Sequence, residues 1–124
     1  MMDINYRALD PGIRGLVRWL RDRGFNTTDS GDGVSKFAKL GDDACALRFP
    51  HVFMTVARPE WLCPEAGRLS TLLADAGVRL GNREGQPFIE ANYRLPGGVC
   101  VIALCGLDDA GLGKAARRSP EATR

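Results

Sequence analysis

The stretch FIEANYRLPGGVCVIALC, residues 88–105, has the clearest secondary-structure pattern in the chain. Two apolar runs, residues 88–95 and 99–105, are separated by Pro96-Gly97-Gly98, and this composition predicts a β-hairpin. The second run is apolar on both faces, which predicts a central strand or a strand covered by another subunit. Side chains alternate along the first strand, so one of its faces carries a mixed set: Phe88, Glu90, Asn92 and Arg94.

Nearer the N-terminus, residues 9–33, LDPGIRGLVRWLRDRGFNTTDSGDG, predict a helix with a marked start and stop. Asp10 suits the N-cap, Pro11 the first helical position and Gly24 the left-handed stop. Between them a core-facing stripe recurs at helical spacing: Ile13, Leu16, Val17 and Leu20. The polar residues 27–33 that follow are too turn-prone for the core, so we expect them at the surface.

Two further apolar stretches, residues 44–49 and 52–57, are broken by Pro50-His51. Because proline cannot donate to a ladder, they predict either one kinked edge strand or two short strands. A second helix is expected from residue 61 or 64 to residue 76, where Gly77 would end it.

Together these elements predict an α+β fold, a mostly antiparallel sheet with two helices packed on it. The 124 residues are expected to form one domain over residues 1–118 and a flexible C-terminal tail over residues 119–124. Residues 34–43 are compatible with a loop, a short helix or a lid over a pocket. The doubly apolar strand and an exposed Trp61 predict an interface, and with it a homodimer or a higher homo-oligomer.

Composition excludes several classes of protein. The formal net charge is only +2, so we expect no DNA or RNA partner. No apolar run reaches the roughly 20 residues of a membrane span, so we expect no membrane partner. The segment after Met1 has no signal-peptide pattern, which favours a cytoplasmic location.

Nucleophiles and bases are few. His51 is the only histidine, and none of the four cysteines forms a CxxC pair: Cys45, Cys63, Cys100 and Cys105. We expect buried free thiols that act as small hydrophobic side chains. The alternative is a Cys-His pair between His51 and either Cys45 or Cys63.

The acidic residues form three close pairs: Asp29/Asp32, Asp42/Asp43 and Asp108/Asp109. DSGDG, residues 29–33, lacks the alternating ligands and the distal glutamate of an EF-hand loop. All three pairs are therefore expected to be solvated turn residues. We expect no catalytic residue, no metal and no cofactor.

The mixed face of the first hairpin strand suits a nucleotide. An aromatic ring can stack on a base, an amide and a carboxylate can bind polar edges, and a guanidinium can hold phosphate. An exposed sheet face with mixed polar residues is the plainer interpretation of the same pattern.

Several segments resemble small phage proteins of the anti-Thoeris sponge family: LDPGIRGLVRWLRDRGFNTTDSGDG, FPHVFMTV, FIEANYRL and VCVIALCGLDD. The resemblance covers about residues 9–109. It implies a protein of the host cytoplasm that is not an enzyme. Such a protein binds cyclic ADP-ribose isomers, and in some members cyclic oligonucleotides, and so withholds the signal from a host immune effector. It also implies dimers or larger oligomers with pockets between subunits.

The resemblance further implies roles for individual residues. Phe88 would stack on the adenine, Asn92 would contact the ligand from the same strand face, and Arg117 or Arg118 would hold the diphosphate. Four more candidates complete the ligand-binding set, one on the hairpin strand and three in the shared TTDSGDG and FPH motifs: Arg94, Asp29, Ser30 and His51.

Two other functions stay open. A small inhibitor could bind a host protein through an apolar patch around Trp19 and Trp61. A nucleotide-processing enzyme could hold a divalent metal at Asp29 and Asp32.

Overall fold

The computed structural model describes residues 5–35, 48–81, 85–92 and 100–118. The regular elements are α1 (Arg14–Asp22), β1 (Asn26–Gly31), β2 (His51–Val56), α2 (Leu62–Asp75), β3 (Phe88–Asn92), β4 (Cys100–Cys105) and α3 (Asp109–Arg118). Short 3-10 turns cover Tyr6–Ala8, Pro11–Ile13 and Pro59–Trp61. Most of the predicted stretch 44–49, the path of residues 36–43, the hairpin turn at residues 96–98 and the tail 119–124 lie outside the described residues.

The four strands form one sheet in the order β1-β2-β4-β3, and every neighbouring pair is antiparallel. β3 and β4 pair as the hairpin pattern predicts, with Phe88 opposite Cys105. β4 is an interior strand and all six of its residues are buried. The α+β prediction is therefore confirmed, and the doubly apolar run is explained by a central position in the sheet.

Of the two predicted alternatives, β2 excludes the kinked edge strand and agrees with a short strand at residues 52–57. It lies between β1 and β4, and it begins at His51, directly after Pro50. Proline is harmless there because the ladder starts one residue later. The carbonyl oxygen of Pro50 still accepts a hydrogen bond from the N–H of Gly106, at 2.8 Å.

Residues 27–33 also differ from the expected surface loop. Most of them belong to the edge strand β1, and the buried members are Thr27, Gly31 and Asp32. β1 carries an irregularity between Thr27 and Asp29, where its register against β2 shifts. Short polar strands with such irregularities are typical of sheet edges. Because β1 has no alternating apolar residues, its sequence gives no period-two signal that would predict a strand.

The helices pack on one face of the sheet, and a single hydrophobic core fills the space between them. Val52, Met54 and Ile102 supply the sheet side of this core. Each helix contributes apolar residues, including Leu16 from α1, Leu69 from α2 and Ala115 from α3. In the described part of the chain, no helix has the length and apolar character needed to cross a bilayer.

The described residues contain three helices where the sequence predicts two. α3 was missed because Gly111 and Gly113 lower the helix propensity of residues 109–118 and the segment is strongly basic. Its start is fixed by Asp108, whose Oδ1 accepts a hydrogen bond from the N–H of Gly111 at 2.8 Å. The predicted glycine stops are confirmed, since Gly24 and Gly77 follow α1 and α2 with positive φ.

The N-terminus of α1 is capped from the other end of the chain. Asp109 accepts hydrogen bonds from the N–H groups of Gly15, at 2.9 Å, and Leu16, at 2.6 Å. The predicted cap, Asp10, makes no capping bond, and its Oδ2 accepts from the N–H of Asp32 at 3.2 Å instead. Asp108 and Asp109 are therefore helix caps and not solvated turn residues.

Asp32 fastens the end of β1 to its surroundings. Its side chain accepts hydrogen bonds from the N–H groups of Gly12, Val34 and Ser35 and from the Ser35 hydroxyl. Burial raises the pKa of Asp32, but these hydrogen bonds together outweigh it and lower the pKa from 3.8 to about 2. The carboxylate is thus structural, and its oxygens are occupied by donors of the chain itself.

We predict that Asp109→Ala lowers the free energy of unfolding by about 1–2 kcal/mol, because two N–H groups at a helix start lose a charged acceptor. Urea unfolding at neutral pH measures this. Asp22→Ala is the matched control, since Asp22 is exposed at the opposite end of the same helix. Equal losses in both variants would contradict the capping role.

Asp32 makes stability depend on pH. Because its pKa is lower in the folded state, its contribution is fully present above pH 3.8 and is lost as the pH falls towards 2. A shift of this size corresponds to about 2 kcal/mol. We predict that the stability gap between the wild type and Asp32→Asn is largest at neutral pH and narrows below pH 4. Urea titrations at several pH values would refute this if the gap stayed constant, with Asp29→Asn as the exposed control.

Candidate functional site

The strand register brings several predicted site residues to one face of the sheet, the face away from the helices. Three cross-strand rows form this surface, which we call the outer face: Gly31, His51, Cys105, Phe88; then Asp29, Phe53, Ala103, Glu90; then Asn26, Thr55, Val101, Asn92. Because side chains alternate along a strand, the members of these rows point away from the core. The predicted candidates Phe88, His51 and Asp29 therefore share one surface, and the backbone of Asn92 pairs with Val101 in the same register, while its side chain lies outside the described residues.

The outer face is low in the middle and higher on both sides. Ala103 and Cys105 are short side chains on the central strand, each about 4% exposed. Phe53 on β2 and Phe88 on β3 flank them, and Phe88 is 36% exposed. The middle of the outer face is therefore buried, and Phe88 offers an accessible aromatic ring beside it.

Three rings lie together along β2. The centroid of the His51 ring lies 5.2 Å from that of Phe53 and 6.2 Å from that of Phe49. His51 is only 4% exposed, and its Nδ1 lies 3.0 Å from the carbonyl oxygen of Phe49. A carbonyl can only accept, so this contact places a proton on Nδ1 and leaves Nε2 as an acceptor in the neutral ring.

Cys105 lies opposite His51 in the ladder, a pairing that sequence reasoning missed because only the fold decides which strands are neighbours. Burial raises the pKa of the Cys105 thiol, and the negative charge of Glu90 raises it further. The thiol is therefore held in its protonated, weakly nucleophilic form. This favours binding over nucleophilic catalysis on the outer face.

The other cysteines only partly match the expected buried thiols. Cys100 and Cys105 are buried, as expected, whereas Cys63 is exposed at the start of α2. Its position on the outward side of that helix corrects the prediction for this residue. Cys45 lies outside the described residues.

The remaining candidates lie elsewhere. Ser30 alternates to the inner side of β1, and with Asp29 it lines a cleft of about 210 Å³ beside that strand. We call this the edge cleft, and its lining residues are Ala8, Leu9, Asp10, Val17, Thr27, Thr28, Asp29 and Ser30. Arg117 is exposed on α3, which packs against α1 in the helical layer. Arg94 lies outside the described residues, as does the side chain of Arg118.

The acidic pair Asp29/Asp32 does not form a metal centre in the described structure. The Asp32 carboxylate already accepts hydrogen bonds from backbone N–H groups of the chain. The Asp29 carboxylate accepts a hydrogen bond from the N–H of Ser30, at 2.9 Å. Within the described residues no group of three His, Cys, Asp or Glu side chains is placed to hold a metal ion. Asp42 and Asp43 lie outside those residues.

The position of His51 depends on Gly31. A Cβ atom at residue 31 would lie 2.7 Å from the Cε1 atom of His51, closer than van der Waals contact permits. We predict that Gly31→Ala lowers the free energy of unfolding by about 1–3 kcal/mol, because the buried ring must move. Thermal or urea unfolding checks this.

Gly67→Ala is the matched control, since a Cβ there meets nothing within 4 Å. Gly67 lies inside α2, so alanine should stabilise the protein by about 0.5–1 kcal/mol. A Gly31→Ala variant as stable as the wild type would show that His51 is not confined by its neighbour.

Comparison with protein-family models, curated proteins and solved structures found no match for this chain. The function therefore has to be inferred from the arrangement of the chain's own residues.

Proposed function

We propose that this protein binds a cyclic nucleotide signal on its outer face and sequesters it without cleavage. A cyclic ADP-ribose isomer is the leading ligand, and cyclic oligonucleotides are further ones. The observation that carries the proposal is the register, which aligns Phe88, Asn92 and His51 on one surface that bears no helix in the described part of the chain. In the cell, such a protein would act in the host cytoplasm as a phage anti-defence factor.

Base recognition is supported by the aromatic side chains of the outer face. Phe88 is accessible at the edge of the sheet, while Phe53 and His51 are fixed by mutual ring contacts. Stacking of a base on an aromatic side chain contributes about 1–3 kcal/mol. Polar groups on both flanks, Glu90 and Asp29, suit the exocyclic amine and the ribose hydroxyls of a nucleotide.

Phosphate recognition requires cations, because the outer-face carboxylates repel phosphate. Arg94 continues the alternation of β3 and is predicted on the same face. Arg117 belongs to the helical layer, across the sheet from Phe88, so it would reach an outer-face ligand from a second copy of the chain. This supports a homo-oligomer with the pocket between subunits.

Sequestration needs affinity near the nanomolar range, about −12 kcal/mol, and no chemistry. Stacking and charge-assisted hydrogen bonds between subunits could supply that energy in a site shielded from water. The protonated state of Cys105 and the occupied oxygens of Asp32 agree with binding without turnover. They argue against the nucleotide-processing alternative.

A protein-binding function is the second candidate, and one observation favours it. Trp61 is 48% exposed beside a groove of about 260 Å³ whose floor includes Met54 and Ile102. Arg58 stacks over the Trp61 ring at 5.2 Å. Aromatic and arginine side chains at such a groove are typical of protein interfaces.

Calorimetry with cyclic ADP-ribose isomers and with cyclic di- and trinucleotides tests the proposal. The ligand is recovered afterwards and analysed by mass. Tight binding with intact ligand supports sequestration, whereas a hydrolysed ligand or no binding overturns it.

We predict that Phe88→Ala weakens binding by about 1–3 kcal/mol through lost stacking. Trp61→Ala is the matched control, since Trp61 is also an exposed aromatic residue but lies beside the opposite end of β2, and it should keep the wild-type affinity. Asn92→Trp should block the surface and abolish binding without unfolding the protein. Wild-type affinity in both Phe88→Ala and Asn92→Trp would move the site away from the outer face.

A further inference from the structure

Three arginines lie along one side of α1, and two of them donate hydrogen bonds to residues that line the edge cleft. Arg14, Arg18 and Arg21 recur at i, i+4 and i+7, so they form one row beside the buried stripe of the helix. Arg14, Arg18 and Arg21 form no ion pair with another described residue. The row on α1 therefore carries positive charge that no described carboxylate neutralises by direct contact.

Two of these arginines are held by the segments that line the edge cleft. Arg14 donates through Nε to the carbonyl oxygen of Leu9, at 3.0 Å. Arg21 donates through Nη1 to the carbonyl oxygen of Thr27, at 3.2 Å, and to its Oγ1, at 3.0 Å. Both guanidinium groups are thus fixed at the rim, and each keeps further N–H groups for another acceptor.

Arg18 stands between them on the helix and is exposed. Its guanidinium lies 4.6 Å from the centroid of the Tyr6 ring, and it forms no hydrogen bond within the described structure. A stacked, unpaired guanidinium is preorganised to bind an anion through two parallel hydrogen bonds.

The interior of the edge cleft has a different chemistry, rich in acceptors and hydroxyls. Asp10 accepts one backbone N–H, from Asp32, which leaves a second carboxylate oxygen on its side chain. Ser30 adds a hydroxyl, and Val17 provides an apolar wall. Carboxylates beside hydroxyls suit the vicinal hydroxyl groups of a sugar, as acidic residues do for ribose in dinucleotide sites.

A peptide strand fits this edge poorly. Arg21 occupies the carbonyl oxygen of Thr27, and Asp29 occupies the N–H of Ser30, so two ladder positions on β1 are already satisfied. The volume of about 210 Å³ is also below the range of about 300–1,000 Å³ for drug-sized ligands. A small ligand is the better occupant.

We infer that the edge cleft is a binding site for a small phosphorylated polyol, with the sugar hydroxyls against Asp10 and Ser30 and the phosphate on the arginines of α1. The ligand could be a free sugar phosphate or the ribose phosphate of a nucleotide, since both present the same groups. This site is separate from the outer face and does not depend on the function proposed for that face.

Calorimetric titration of the full chain with ribose 5-phosphate tests the inference, with ribose and inorganic phosphate as separate probes. Ribose 5-phosphate should bind at least about tenfold more tightly than either fragment, because charge-assisted and neutral hydrogen bonds act together. Absence of saturable ribose 5-phosphate binding overturns the inference. Titration with AMP separates the two sources: tighter binding than ribose 5-phosphate indicates a nucleotide, and weaker binding a free sugar phosphate.

We predict that Arg18→Gln weakens ribose 5-phosphate binding by about tenfold or more, since one charged hydrogen-bonding partner is lost. Arg58→Gln is the matched control, because Arg58 is also exposed and stacked on an aromatic ring, and it should bind as the wild type does. Equal effects in the two variants would show nonspecific charge attraction and overturn the site. Unchanged thermal unfolding of Arg18→Gln verifies that the fold is intact.

Two further variants locate the ligand. Ser30→Ala should weaken ribose 5-phosphate binding but leave the weak binding of inorganic phosphate unchanged, because the hydroxyl faces the sugar. Phe88→Ala should leave ribose 5-phosphate binding unchanged. Loss of that binding in Phe88→Ala, with retention in Arg18→Gln, would place the ligand on the outer face and overturn the edge-cleft site. Loss of cyclic nucleotide binding alone would count against the outer face only.

Discussion

The contact between Asp109 and the start of α1 is the constraint on which the arrangement of the molecule depends. The Asp109 carboxylate accepts hydrogen bonds from the N–H groups of Gly15 and Leu16, which precede it in the sequence by 94 and 93 positions. It thereby fixes α3 against α1, and α1 in turn packs on β1. A second contact of this kind involves Asp32, whose carboxylate accepts a hydrogen bond from the N–H of Gly12 and so connects the end of β1 to the turn before α1. The buried charge of Asp32 is tolerated because its carboxylate accepts hydrogen bonds from Gly12, Val34 and Ser35.

This arrangement separates two surfaces of different chemistry. On the outer face, aromatic rings lie beside a buried thiol, Cys105, whose pKa is raised by burial and by the charge of Glu90. At the edge of β1, arginines of α1 stand above carboxylates and hydroxyls, so a ligand there must itself combine phosphate with hydroxyl groups. The edge strand serves both surfaces because its residues alternate, with Asp29 towards the outer face and Ser30 towards the inner one.

Sequence reasoning succeeded where the signal is local. The stripe of α1, the glycine stops and the apolar hairpin strand all depend on periodicity or on backbone conformation, which neighbouring residues specify. It failed for β1 because a short polar edge strand has no apolar alternation, and for α3 because two glycines and a basic composition conceal a helix that packing stabilises. Asp108 and Asp109 were predicted to be solvated turn residues because the sequence pattern of a helix-capping aspartate does not differ from that of an aspartate in an exposed turn.

The sequence by itself determined which side chains share a strand face, including Phe88, Glu90 and Asn92, because alternation in a strand is fixed by backbone geometry. It also determined that β4 is buried on both sides, since every residue of that strand is apolar. Only the tertiary structure decided that His51 and Cys105 are neighbours, that Asp109 caps α1 and that arginines of α1 border a cleft at β1. Each of these depends on contacts between residues distant in sequence, and strand order and helix docking are set by the packing of the whole core.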